Sequence, residues 1–213
     1  MRCNKPSEKL WKQLLTILRY LKRTWFFGPV FKRPTGDFNL TENILLKSFC
    51  DSSFASEPGS KSRLGFFYFV CGCLVSWTSH HSTRVMSSST EAECHALVHV
   101  GKENIWVREF LDVLKIFETI LPLVIFQDNK SAITLSSSGT FHKRSKHFGV
   151  EFDMFREFVA LKEIVLQHRA TDELAADMLT KALPPAKFSK FRDEVMGGEK
   201  LQRFFDKEQE RQR

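Results

Sequence analysis

The sequence predicts an α/β domain, a mixed sheet with helices packed on its faces. Three observations point there. Short aromatic and β-branched runs cluster early in the chain, helical spacing dominates the middle, and two later apolar runs are each followed by a helix. Alternation of this kind places helices against a sheet. Hydrophobic residues make up 42% of the 213, enough for a core, which argues against wholesale disorder.

Residues 6–25, PSEKLWKQLLTILRYLKRTW, predict an amphipathic helix. Ser7 is placed to cap it and Glu8 suits its first turn. Leu10, Leu14, Ile17, Leu18 and Leu21 recur at helical spacing, and Gly28-Pro29 ends the segment. Its apolar stripe needs a partner, so residues 1–40 are expected to be the tail of a module truncated upstream. The main domain is expected over 41–184, with a charged tail or frayed helix over 185–213.

ILLKSFCDSSF reads as a strand ending near Asp51, and Glu57-Pro58-Gly59-Ser60 as a turn. Residues 63–77 supply one or two further strands. Ser88 to about Phe117 reads as helix, divided by Gly101, with Trp106, Phe110, Val113, Leu114 and Phe117 on one apolar face. LPLVIFQD is a buried strand with Asp128 at its carboxyl end, and a short helix follows it. KRSKHFGVEFDMFREFVALKE reads as helix, EIVLQHR as the last strand, and DELAADMLTKAL as a helix stopped by Pro184-Pro185.

The stretch SSSTEAECHAL, from Ser87, opens the long helix. With Thr90 as N-cap, Glu93 stands at the capping-box position. Glu93 also shares a face with Ala96, Leu97 and Val100, the face expected to meet the sheet. Glu91 falls instead in line with His95 and His99, a stripe expected in solvent. An inward carboxylate is costly unless it is paired or binds a metal. Asp51, Asp128 and Asp177 are the acids whose positions allow convergence with Glu93. Four carboxylates together repel one another without cations, and such a cluster suits two hard divalent ions.

The net charge of +7 and pI of about 9.2 permit a nucleic-acid partner without requiring one. Five cysteines with no CxxC spacing argue against a disulfide framework or a zinc ribbon, and point to a reducing compartment. No signal peptide or membrane-length apolar run is read in the sequence. An intracellular setting, cytoplasmic or nuclear and not secreted, is therefore expected. Cys50-Asp51-Ser52-Ser53 lacks the glycine an aspartic-protease loop needs to turn beside its catalytic acid. No adjacent Asp-Asp pair supports a polymerase.

These motifs resemble, in order, the ribonuclease H domain of copia-type retrotransposon Pol polyproteins. SSSTEAECHAL is similar to that family's SSTEAEY-x-AL, FCDSSFA to Y-S-D-A-D-W-A, and FQDNKSAI to C-D-N-Q-S-A-I. KSRLGFFYFVCGCLVSW, FHKRSKHFGVEFDMFRE and LAADMLTKAL also find counterparts. KPSEKLWKQLLTILRYLKRT resembles the end of the preceding reverse transcriptase. Phe54, Ser53, Arg23, Cys94, Asp153, Thr78 and His80-His81 depart from the family pattern, the last three positions where lysines are usual.

The resemblance implies a ribonuclease H-like fold with a five-stranded mixed sheet flanked by helices. It implies metal-binding and catalytic acids at Asp51, Glu93, Asp128 and Asp177, the four reached above, with two Mg²⁺ ions for which Mn²⁺ can substitute. The expected substrate is the RNA strand of an RNA–DNA hybrid, with reverse transcriptase as a partner in cis. His168 is a candidate proton shuttle or a surface histidine. Ser89, Thr90 and Asn129 are candidate contacts to the hybrid or helix caps. Lys143, Arg144 and Lys146, beside His147, are candidate phosphate contacts or a solvated helix start. The alternative expectation is a catalytically silent remnant that at most binds nucleic acid.

Overall fold

A computed structural model describes residues 7–31, 46–115, 122–138 and 149–196. The fold is a five-stranded mixed sheet with helices on both faces. The strands are β1 (Leu46–Glu57), β2 (Lys61–Val70), β3 (Cys73–Val85), β4 (Leu123–Gln127) and β5 (Ile164–His168). They lie in the order β3-β2-β1-β4-β5. β1, β2 and β3 pair antiparallel through tight turns, while β4 joins β1, and β5 joins β4, in parallel. Parallel neighbours need crossovers, and helices supply them.

The first turn falls where Pro58-Gly59 was expected to make it, with Gly59 at φ +77°. β1 does not stop near Asp51. Ser53 still pairs with Arg63, and Glu57 with Lys61, so Asp51 lies mid-strand opposite Gly65. The hairpin continues to its turn, and the acid sits inside the ladder.

The helices are α1 (Glu8–Arg23), α2 (Ser89–Val113), α3 (Lys130–Ser137), α4 (Val150–Ala160), α5 (Asp177–Thr180) and α6 (Pro185–Met196). Ser7 caps α1, accepting from the Leu10 amide at 3.3 Å. No residue of α1 is buried, and Trp11, Ile17 and Leu21 are more than half exposed. Its C-terminal end meets α6 through an edge-on contact of Tyr20 with Phe188, and Arg192 lies over the Phe27 ring just beyond.

One core lies between the sheet and α2 with α4, where Cys50, Leu64, Phe66 and Tyr68 meet Leu97, Val100, Phe152 and Phe155. The opposite face of the sheet carries a smaller core of Phe49, Phe67 and Phe69 against Leu174, Phe191 and Val195. Alternation along β1 sends Cys50 to one core and Phe49 to the other.

Two helical expectations need correction. Gly101 does not divide α2, which is continuous over Ser89–Val113. It is buried because the Phe155 ring of α4 closes on it; a Cβ there would stand 2.6 Å from that ring. The apolar face carrying Trp106, Phe110, Val113 and Leu114 is exposed, and Phe117 lies outside the described residues. DELAADMLTKAL is not one helix but a 3₁₀ turn over Thr171–Glu173, then the single turn α5. Leu174, Ala175, Ala176 and Asp177 are all buried, so this stretch lies flat against the sheet. A regular helix would turn part of it to solvent. Beyond Pro184, residues 185–196 form α6, anchored by fully buried Phe191.

Replacing Gly101 with alanine should drive the Phe155 ring off α2. The expected loss is about 1–3 kcal/mol, as overpacking costs elsewhere, read as a lower urea midpoint. An unchanged midpoint would show that α4 does not depend on this close approach.

Candidate active site

Asp51 and Asp128 meet where the parallel pairing of β1 with β4 runs out. Asp51 projects from within β1 and is 1% exposed. Asp128 follows the last residue of β4, half-buried. Glu93 comes from the first turns of α2, on the face that packs against the sheet. Ligand oxygens of Asp51, Glu93 and Asp128 lie within 4.8 Å of one another.

The start of α2 is set two residues earlier than the sequence suggested. Ser88 is the N-cap, not Thr90, and accepts from the Glu91 amide at 3.1 Å. Glu91 is therefore the residue that reaches back, accepting from the Ser87 amide at 2.7 Å and its hydroxyl at 2.6 Å. It is buried, with Arg84 at 3.7 Å, rather than solvated. That leaves Glu93 free of capping and turned to the acid cluster.

Gln127, fully buried at the end of β4, ties two of the acids together. Its Nε2 donates to Glu93 Oε2 at 2.8 Å, and its Oε1 accepts from the Asp128 amide at 2.8 Å. Thr171 donates to Asp128 Oδ2 at 2.7 Å. Thr180 of α5 donates to Asp51 Oδ2. That contact is possible because Gly65, beside Asp51 in the ladder, has no side chain; a Cβ there would meet Leu179 Cβ at 2.6 Å and Thr180 at 3.0 Å. None of these supports carries a recognisable spacing signal, since each acts across the fold.

Asp177 is also 1% exposed and opens α5. Its charge is felt at Asp51, but its oxygens are held by lysines. Lys181 Nζ stands 2.9 Å from Asp177 Oδ1 and 3.6 Å from Asp51 Oδ2, and Lys187 Nζ, from α6, stands 3.0 Å from Asp177 Oδ2. The structure thus gathers three of the four expected acids into one group and sets the fourth beside it in ion pairs. Lys187 was not anticipated, because it lies in the segment expected to fray.

Burial, opposed by the Thr180 hydrogen bond and the Lys181 charge, raises the Asp51 carboxyl from 3.8 to about 6. Burial, then the neighbouring Asp51 charge, raises Glu93 from 4.5 to about 8. Burial first, then Glu93, pushes the adjacent Cys94 thiol up to about 12, and burial also raises Cys50. Both thiols therefore stay protonated at neutral pH, and the available donors are carboxylate oxygens. An all-oxygen anionic set fits a hard divalent cation such as Mg²⁺ or Mn²⁺ and does not favour a thiophilic metal.

The remaining candidates are scattered around this centre. Ser89 is exposed and Thr90 half-buried on the first turn of α2, and neither is the cap. Asn129 is the N-cap of α3, accepting from the Ala132 amide at 3.0 Å. His168 is exposed at the end of β5, in register with Gln127. Lys143, Arg144 and Lys146 lie outside the described residues. No helix among the described residues is long and apolar enough to cross a membrane.

The sheet order, the flanking helices and the acids at the β1–β4 end define a ribonuclease H-like domain. No family model matches the chain. It is 35% identical over 187 residues to the retrovirus-related Pol polyprotein from transposon TNT 1-94 of Nicotiana tabacum, a match covering 86% of this chain and 13% of that protein. It is 28% identical over 191 residues to the Pol polyprotein from transposon RE2 of Arabidopsis thaliana, covering 89% and 13% respectively. The chain is a homologue of copia-type retrotransposon Pol polyproteins, and it spans about an eighth of the length of the curated relatives it matches. Among solved structures, LC11-RNase H1 isolated from compost aligns over 65% of this chain and 94% of its own, with 15% identity and a TM-score of 0.49.

Asp51 and Glu93 hold protons more tightly folded than unfolded. Their contribution to stability is fully present below about pH 4 and is lost as pH rises through about 6 and then about 8. Metal-free protein should therefore weaken across that window. Glu93→Gln should stabilise it by on the order of 3 kcal/mol at pH 7, measured by urea unfolding in chelator. A destabilised variant at pH 7 would contradict the assigned burial cost.

Proposed function

We propose that this chain is a divalent-metal-dependent ribonuclease H that cleaves the RNA strand of RNA–DNA hybrids as part of a Pol polyprotein. The observation that carries this reading is the meeting of Asp51, Glu93 and Asp128 from three separate elements, with their oxygens within 4.8 Å. Asp51 and Glu93, buried and holding protons above the usual carboxylate range, gain most from a cation. Homology to Pol polyproteins supports reverse transcriptase as the partner in cis and a hybrid as the substrate.

Asp51, Glu93 and Asp128 would hold the ion. When bound, a divalent cation supplies Lewis acidity that makes water a better nucleophile at neutral pH and shields developing phosphate charge. Gln127 keeps Glu93 and Asp128 in a fixed relation, and Thr180 orients Asp51. Two ions were expected from the sequence, with Asp177 serving the second. In the free protein Asp177, held in its lysine pairs, would adjust the field at Asp51.

Ser89 and Thr90 stand on the first turn of α2, a turn before Glu93, and are assigned to the hybrid's minor groove or 2′-hydroxyls. Asn129 caps α3 through its oxygen, which leaves its NH₂ to donate to nucleic acid. His168, exposed beside the acid end of the sheet, is assigned to proton transfer at the leaving oxygen. An intracellular setting, cytoplasmic or nuclear, belongs to the same proposal.

Purified protein should cut the RNA strand of a labelled hybrid with Mg²⁺ or Mn²⁺ and stop in chelator. Asp128→Asn and Asp51→Asn should each lower the rate at least about 100-fold while leaving hybrid binding near that of the unaltered chain. Tight binding with no cleavage by the unaltered chain, in either metal, would instead establish a silent nucleic-acid-binding remnant.

A further inference from the structure

Resting on the nuclease reading, we infer that Lys181 is a built-in counter-ion that occupies the second cation position of this site, so that the free protein takes one divalent ion rather than two. The geometry is specific. A second ion serving Asp51 and Asp177 would have to lie between them. The Lys181 ammonium is already there, 2.9 Å from Asp177 Oδ1 and 3.6 Å from Asp51 Oδ2.

Two of the nearby oxygens have further partners. Asp177 Oδ2 is paired with Lys187 at 3.0 Å, and Asp51 Oδ2 accepts from Thr180. Both carboxylates are almost fully buried, whereas the Lys181 side chain is 40% exposed. The lysine thus enters from the solvent side and covers the approach to Asp177. An ion at that spot would need bonds of roughly 2.0–2.6 Å to the same oxygens, and it cannot share so small a space with an ammonium group.

Charge leads to the same count. Fully ionised, as a bound cation would require, the four carboxylates carry four negative charges, and Lys181 and Lys187 offset two of them. The remaining two negative charges match one divalent ion held by Asp51, Glu93 and Asp128. A second divalent ion would leave the cluster with a net positive charge in a largely buried setting, which is costly without further ligands.

The test counts ions without any nucleic acid present. Mn²⁺ is titrated into the purified chain and free Mn²⁺ is followed by electron paramagnetic resonance. Asp51→Asn, which removes a ligand common to both positions, reads ions bound elsewhere on the chain. Above that background the unaltered protein should bind one ion, Lys181→Arg should still bind one, and both Lys181→Met and Lys181→Gln should bind two. Two variants of different polarity guard against one failing to fold. A count of two in the unaltered chain overturns the inference, as does a count of one in both the Met and the Gln variant. The hybrid-cleavage assay reads the nuclease separately. Cleavage with a wrong ion count removes only the role of Lys181, and a correct count without cleavage removes only the nuclease.

Discussion

Mutual repulsion among carboxylates in a nearly dry pocket is the constraint on which this structure turns. Asp51 lies inside a ladder strand, where an ionised side chain is expensive. Glu93 faces the sheet from α2, and Asp128 caps the parallel strand beside β1. Nothing in the packing of the two cores requires acids here. The fold instead spends hydrogen bonds from Gln127, Thr171 and Thr180 to keep them together. An interior that gathers like charges and then braces them suits the cation proposed for this site.

The bracing explains features that lie far from the acids in the chain. Gly65 admits α5 to the sheet so that Thr180 can reach Asp51. Ser79 of β3 accepts no part in the chemistry, yet its hydroxyl donates to the Leu179 carbonyl at 2.6 Å and fixes the same turn. Phe191 anchors α6 in the smaller core, which brings Lys187 to Asp177. On the other face, Gly101 lets Phe155 pack against α2, the helix that carries Glu93. Local packing choices on both sides of the sheet therefore set the geometry of one small volume.

Much of the fold was legible because its signals are local. Pro58-Gly59 marks a turn, aromatic and β-branched runs mark β2 and the start of β3, whose polar continuation over 78–85 they do not reach, and the apolar run before Asp128 marks β4. Glu93 was legible as inward-facing from helical spacing alone. Asp51 was found as a site acid, but its strand was cut short, because the polar serines after it hide a hairpin that continues to Glu57. Glu91 was misplaced in solvent because the helix begins after Ser88, two residues before the assumed cap, and hydrophobic spacing does not fix the first turn. Residues 172–183 look helical by composition, yet contact with Gly65 and the sheet overrides that preference. Gln127, Thr180 and Lys187 could not be read at all, since their roles exist only after distant segments meet.

The most direct test of the account is a crystal of the chain grown or soaked with Mn²⁺ and examined by anomalous diffraction. The account predicts a strong peak ligated by oxygens of Asp51, Glu93 and Asp128, with Gln127 still bonded to Glu93. An ordered site with no peak among those three side chains, at saturating Mn²⁺, would contradict it.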